Sequence, residues 1–251
     1  MRILITNDDG WGTKGIWTLV EEMRKLGEVI VVAPDGPRSG QSNAISVLQP
    51  LRLRQIIGEE GFTVYLTNGT PTDCIKLGIH ELFGEAQPDL VVSGINHGDN
   101  GMVNVIYSGT MGAVFEGCAR GITSIGFSLC DHSPEADFSY FRPHVLELTK
   151  RILALPKREY LCWNINCPVG PVKGVRITRH CHGYWDKEYI RYSDPTGGPF
   201  YMLTGHFVNT EPEAPDTDQY ANAHGYISVT PTTIDMTDKQ WKDSINTGLE
   251  Y

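Results

Sequence analysis

Short continuous apolar runs and longer helical periodicities alternate along this chain. Ile3-Leu4-Ile5, Glu28-Val-Ile-Val-Val-Ala33 and Pro88-Asp-Leu-Val-Val-Ser93 show no polar alternation, as expected of parallel strands buried on both faces. Between the first two, Ile16, Leu19, Val20, Met23 and Leu26 recur at helical spacing, with Gly27 as the stop. Thr70-Pro71-Thr72-Asp73 opens a second helix running to about Phe83, with Thr70 as N-cap, Pro71 at the first helical position and Gly84 beyond the end. A third begins at Ser108-Gly109-Thr110, carries Ala113, Val114, Gly117 and Cys118 on one face, and stops at Gly121. Ile122 to Phe127 returns as a strand, and Phe141, Val145, Leu148, Ile152 and Leu155 mark a fourth helix. Residues 44 to 67 alternate apolar and polar over Ile45-Ser-Val47-Leu48 and over Phe62 to Leu66, which predicts an antiparallel pair added to the parallel core. The expected fold is α/β, a Rossmann-like, mostly parallel sheet flanked by helices.

Residues 1-158 are read as the α/β catalytic core and 159-251 as its continuation, with a β-hairpin extension and C-terminal elements used in oligomerisation. Leu161 to Asn166, Val175 to Thr178 and Tyr226 to Val229 read as strands, Thr217 to Ala223 as a short helix, and Thr237-Asp-Lys-Gln240 as a capping box opening a last helix. Tyr184, Trp185, Tyr189, Tyr192, Phe200, Tyr201 and Phe207 cluster around a Ser193-Asp-Pro-Thr-Gly-Gly-Pro199 tip. That is more aromatic surface than a solvated hairpin leaves bare, so either its own subunit or a neighbour covers it.

The candidate chemistry lies where these strands end. Asn7-Asp8-Asp9-Gly10 places two adjacent carboxylates after a buried strand, at the sheet edge where open α/β folds bind ligands. Such neighbours repel one another and are tolerated in water or around a shared cation. A solvated turn is the plainer reading, since Asn-Asp-Asp-Gly is good turn chemistry. Gly10-x-Gly12-x-x-Gly15, with Asp35 after the next strand, also has dinucleotide-binding spacing, although a pyrophosphate there would meet Asp8 and Asp9.

The loop after the second strand carries Arg38, Ser39, Ser42 and Asn43. The loop after the Pro88 strand runs Gly94-Ile-Asn96-His97-Gly98-Asp99-Asn100-Gly101. Ser108, Gly109 and Thr110 at a helix start suit phosphate, or serve as an ordinary cap. If the strands are parallel neighbours, Asp8, Asp9, Ser39 and Asn96 converge. Four oxygen donors without thiolate favour Mg²⁺ or Mn²⁺ over Zn²⁺. Asp8, Asp9, Ser39 and Asn96 are the candidate metal donors, with Asp8, Asp9 and Asn96 the candidate catalytic residues. Ser39, Asn43, Gly94, Ser108, Gly109 and Thr110 are assigned to phosphate and substrate. An aspartyl-phosphate route through Asp8 would need a second acid two residues on, where Gly10 stands.

The formal charge of −9 and the absence of Lys/Arg runs argue against nucleic acid or anionic membrane as partners. Six cysteines without C-x-x-C pairs read as buried thiols in a reducing compartment. With neither a signal peptide nor an apolar stretch of the roughly 18 residues that a span needs, a cytoplasmic location is expected.

Several motifs in register resemble the SurE survival-protein nucleotidases: Asn7-Asp8-Asp9-Gly10, Ala33-Pro34-Asp35 with Arg38-Ser39-Gly40, Gly69-Thr-Pro71-x-Asp73-Cys74, Ser93-Gly-Ile-Asn96-x-Gly98-x-Asn100 and Tyr107-Ser-Gly-Thr110. The likeness continues through Asn164-Ile-Asn166-x-Pro168 and Gly225-Tyr-Ile-Ser-Val-Thr-Pro231, so it covers nearly the whole chain. Met111 and Thr232 depart from residues more common in that family. The resemblance implies hydrolysis of nucleoside 5′- and 3′-monophosphates, with Asp8, Asp9, Ser39 and Asn96 as ligands of a divalent metal. It also implies an oligomer, a homodimer or tetramer, that exchanges C-terminal elements. A NAD-binding protein and a non-catalytic oligomeric regulator are the alternative classes.

Overall fold

A computed structural model describes residues 1 to 238. Strand β1 (Arg2–Thr6) lies at the centre because Ile3, Leu4 and Ile5 are fully buried, which only a strand covered on both faces allows. It pairs in parallel with β2 (Glu28–Pro34) on one side and with β5 (Leu90–His97) on the other. Beyond β2 comes β4 (Phe62–Thr67), parallel to it, and then the edge strand β3 (Leu53–Glu59), antiparallel to β4. Beyond β5 come β6 (Thr123–Leu129) and β7 (Leu161–Cys167), both parallel. Strand β13 (Tyr226–Thr233) adds antiparallel to β7, and β8 (Gly174–Ile177) closes that edge parallel to β13. The sheet order is therefore β3-β4-β2-β1-β5-β6-β7-β13-β8, mostly parallel and nine strands wide.

Helices α1 (Lys14–Met23) and α4 (Arg142–Leu153) cover one face, where Ile3, Ile5, Leu19, Val92, Phe127, Phe141 and Val145 share a core. On the other face lie α2 (Pro71–Gly78) and α3 (Gly109–Ala119), packing Ile75 and Ala113 against Leu4, Val32 and Val91. The chain fits α1 closely onto β5 because Gly15 has no side chain: a Cβ there would overlap the Ile95 carbonyl oxygen. Helix α2 starts as expected, since Thr70 and Asp73 form a reciprocal capping box around Pro71. A wide turn over Ile79–Phe83 extends it to Gly84.

One predicted strand is misplaced in the sequence reading. The partner of residues 62 to 67 is Leu53–Glu59, whereas Ile45, Val47 and Leu48 are exposed in a loop. That loop is held from below, with Ser46 N and Oγ donating to the Asp73 carboxylate at 3.0 and 2.7 Å, so its alternation reflects local anchoring rather than a sheet face.

After β8 the chain leaves the sheet. Strands β9 (Gly183–Asp186) and β12 (His206–Asn209) pair antiparallel, and β10 (Tyr189–Asp194) and β11 (Gly198–Leu203) continue as a two-stranded hairpin. Helix α5 (Asp218–Ala223), capped by Thr217, leads back to β13. The last helix expected after Thr237 lies outside the described residues. Among the described residues, no helix is long and apolar enough to cross a membrane.

Candidate active site

From β1 the chain builds outward to β2 and β4 on one side, then crosses back to β5 on the other. Open α/β sheets bind ligands at such a reversal, outside the carboxyl ends of the strands on either side. Those ends carry Asp8 and Asp9 after β1, and Asn96 and His97 at the close of β5. Thr6 pairs with Ser93, so the two ends stand level.

Asp8 is buried, at 4% exposure, yet carries a carboxylate. Its Oδ1 accepts from the Thr110 hydroxyl at 2.6 Å. Helix α3 begins directly against it, since a Cβ on Gly109 would lie 2.9 Å from Asp8 Cβ. Burial pushes the Asp8 carboxyl up to about 6; the Thr110 bond opposes this and the Asp9 charge adds to it. Asp9 is less enclosed. Its Oδ2 accepts from the His97 backbone N–H at 3.1 Å and lies 3.0 Å from the His97 ring Nδ1. Asn96, also buried, donates through Nδ2 to the Gly98 carbonyl at 2.8 Å, which leaves its amide oxygen as the acceptor to be offered. Asn7 Nδ2 donates to the Gly10 carbonyl at 2.9 Å, while its Oδ1 is buried with no hydrogen-bond partner.

Gly94 acts through the backbone. With φ of 123° it sits where the β5–β6 register shifts between Ser93 and Asn96, and a Cβ would collide with the Phe127 carbonyl. The bulge sets Asn96 opposite Ser128.

The loop after β2 is fastened beside the carboxylates at several points. Arg38 N donates to the Asp8 carbonyl at 2.7 Å, Ser42 N to the Tyr107 carbonyl at 3.0 Å, and Ser42 Oγ to the Ile106 carbonyl at 2.6 Å. Thr70 Oγ1 donates to the Ala44 carbonyl at 2.7 Å, beside the Ser46–Asp73 bonds. Ser39 and Asn43 lie on this loop with their side chains exposed. Asp73 is therefore both the third-position member of the α2 capping box and the clasp of the loop. Asp73→Ala is expected to lower stability by about 2–4 kcal/mol, from a lost cap and unpaired buried donors. It should also raise KM for any ligand held by Ser39 or Asn43; denaturant unfolding and steady-state kinetics check both.

The structure joins Asp8, Asp9, Asn96, Gly109 and Thr110 through direct contacts or chain adjacency, and brings Ser39 and Asn43 to the same edge on the clasped loop. The hydroxyls of Ser108 and Thr110 are committed, Ser108 Oγ accepting from Met111 N at 3.0 Å and Thr110 donating to Asp8. Met111 N is taken by that cap and the Thr110 N–H serves Asp8, which leaves the Gly109 N–H as the first-turn donor suited to an anion. His97 was not singled out from sequence. Its partner lies 88 residues away, and the sole signal was an imidazole directly after Asn96.

The donor set suits a hard divalent cation. It offers two carboxylates, whose side-chain bonds fall on Oδ1 of Asp8 and Oδ2 of Asp9, one buried amide and a nearby hydroxyl, with no thiolate. Among the described residues, no group of three His, Cys, Asp or Glu side chains could hold a metal, so a cation here would lean on neutral oxygens and water as well.

The family model described as "Survival protein SurE" matches residues 3–187. The chain belongs to that family. A protein named 5′-nucleotidase SurE from Phocaeicola vulgatus is 50% identical over 236 residues, which covers 94% of this chain and 91% of that protein. One of the same name from Bacteroides fragilis is 46% identical, covering 97% and 95%. The crystal structure of the SurE protein from Aquifex aeolicus superposes with a TM-score of 0.84 at 34% identity over 98% of both chains. The dinucleotide reading is not favoured. A pyrophosphate on the Gly10 to Gly15 turn would meet the buried Asp8 carboxylate, and Asp35, which would take the ribose, is bonded to Arg38 Nη2 at 2.8 Å.

Proposed function

We propose that this chain hydrolyses nucleoside 5′- and 3′-monophosphates to nucleoside and phosphate with a divalent metal, Mg²⁺ or Mn²⁺. The observation that carries the reading is the carboxylate pair Asp8–Asp9 at the sheet's reversal point, backed by the N-terminus of α3. Its SurE relatives bear the name 5′-nucleotidase. Asp8, Asp9, Ser39 and Asn96 hold the cation. When bound, it supplies Lewis-acid activation of water and neutralises charge on the phosphoryl oxygens. The Gly109 N–H at the start of α3 orients the phosphoryl group through the positive end of the helix dipole, while the Thr110 N–H serves Asp8. Thr110 fixes the rotation of Asp8 through its 2.6 Å bond, and Asn43 borders the substrate on the clasped loop. Positioning and electrostatics of this kind supply most of the catalysis of phosphoryl transfer.

A phosphatase screen over 5′- and 3′-nucleoside monophosphates, with Mg²⁺, Mn²⁺ or chelator, tests the reading. Turnover that needs metal and survives in neither Asp9→Asn nor chelator supports it; turnover unaffected by chelator rejects it.

The same reading extends to assembly as a homodimer or tetramer. Every residue of β10 and β11 is exposed, including Tyr189 at 65% and Leu203 at 69%. The hairpin's root is firm, because Trp185 Nε1 donates to Asn104 Oδ1 at 2.9 Å and packs edge-on against Phe207. An anchored stem with an apolar, two-sided blade suits a subunit contact. Deletion of residues 188–204 is expected to yield a smaller oligomer by light scattering, with far-UV dichroism of the core retained; an unchanged mass would reject the contact.

A further inference from the structure

We propose that His97 is a positioning residue for Asp9, fixing which carboxylate oxygen is turned toward a divalent cation. The inference rests on the metal-dependent reading above.

Strand β5 ends one residue past Asn96, and its last residue points a ring at Asp9. Two donors of that one residue reach one oxygen: the backbone N–H at 3.1 Å and ring Nδ1 at 3.0 Å, both on Oδ2. A carboxylate can only accept, so Nδ1 carries the proton of this bond. Side-chain exposures of 12% for His97 and 16% for Asp9 keep bulk water from substituting easily. The ring is itself braced. Phe138, buried in the core beneath α1 and α4, meets it edge-on with centroids 5.1 Å apart at 86°.

A carboxylate turns readily about its terminal torsion, and a single backbone donor would leave Asp9 free to pivot about that bond. Repulsion from Asp8 would favour turning it away from the shared space. Two donors held by one strand end remove that freedom. With Oδ2 engaged by both, Oδ1 becomes the oxygen offered to the cation before any cation arrives. Partners of this outer kind are worth about 10- to 100-fold in metal affinity.

The competing role is steric, with the imidazole merely filling space beside Phe138. Calorimetric titration of Mn²⁺ into the full chain, without substrate, separates the two. His97→Phe keeps an aromatic ring against Phe138 without a donor, and is expected to weaken Mn²⁺ binding about 10- to 100-fold. His97→Ala should weaken it equally. His97→Asn, whose Nδ2 can reach the position of Nδ1, should return affinity to within about threefold of the parent chain. The comparison of Phe with Asn stands even if the Ala variant does not fold. Parental affinity in His97→Phe, or a loss in His97→Asn as large as in His97→Phe, overturns the role. Asp9→Asn serves as the control: Mn²⁺ binding unchanged in that variant would overturn the metal reading itself, and this inference with it.

Discussion

Asp8→Asn is expected to lower nucleotidase turnover by at least about 10³-fold while raising the thermal midpoint of the metal-free protein. The activity loss follows from removing one of the oxygen donors proposed above for the metal, and the anion that Thr110 orients. The gain in stability follows from the cause of its raised carboxyl: burial pushes Asp8 from 3.8 up to about 6 in the folded chain. For an acid raised by folding, the native state binds the extra proton between these values. The Asp8 contribution to stability is therefore most favourable below about pH 4, declines as pH rises toward 6, and stays lower above. The difference between the two values corresponds to at most about 3 kcal/mol at neutral pH.

Asn carries no charge to desolvate and can still accept from Thr110, so the variant should recover a large part of that penalty. Glu211, held down to about 2 by Arg179 and by the His182 backbone N–H, changes stability in the opposite sense, which is lost only as pH falls below the ordinary carboxylate range. The variant-minus-parent difference in unfolding free energy, measured in chelator from pH 4 to 8, isolates Asp8. It should grow between pH 4 and 6 and then level off. Mn²⁺ at about 1,000 times Kd should reverse the order, since it adds about 4.1 kcal/mol to the parent alone, more than the penalty of at most about 3 kcal/mol. A flat difference across pH, or equal stabilisation of both proteins by Mn²⁺, would refute this assignment.

Gly15→Ala should be among the most damaging single-methyl changes near the site. The added Cβ meets the Ile95 carbonyl oxygen, a backbone atom at the carboxyl end of β5 that cannot rotate away. Overpacking of this kind typically costs about 1–3 kcal/mol, and a clash with backbone belongs at the upper end. The expected loss in thermal midpoint is about 5–10 °C for a chain of this size. Relief must come from lifting α1 or displacing β5, and the residue after Ile95 is Asn96. Displacement of about 1 Å at a reacting group can cost about 10²-fold in rate. Gly12→Ala is the control, because a Cβ there meets nothing within 4 Å. Equal thermal midpoints for the two variants would show that the close approach does not govern the site.

The glycine spacing of residues 10 to 15 shows how a correct local reading leaves function open. Gly15 does lie where a helix packs closely on a strand, the role such a third glycine has in dinucleotide folds. What decides against the dinucleotide is burial and pairing: Asp8, two residues before Gly10, is enclosed in the fold, and Arg38 engages Asp35 within the loop after β2. Similarly, the alternation at Ile45 to Leu48 is real in sequence, yet those side chains face solvent because Asp73 of α2 holds Ser46. Strand β3 earns its state by pairing with β4, a contact that its own residues, with Arg54, Gln55 and Gly58 among them, do not announce.

By itself the sequence determined what depends on neighbours along the chain. Unbroken apolar runs required buried parallel strands, since no wet face could accept them. Thr70, Pro71 and Asp73 determined where α2 begins, because capping acts within one turn. Two adjacent acids after a buried strand marked the candidate site. Tertiary structure alone decided which oxygen of Asp8 and Asp9 is engaged and by what, since the partners Thr110 and His97 are 102 and 88 residues away. Those contacts depend on the order in which parallel strands lie side by side, and that order follows from the packing of helices on both faces of the sheet rather than from any local run of residues.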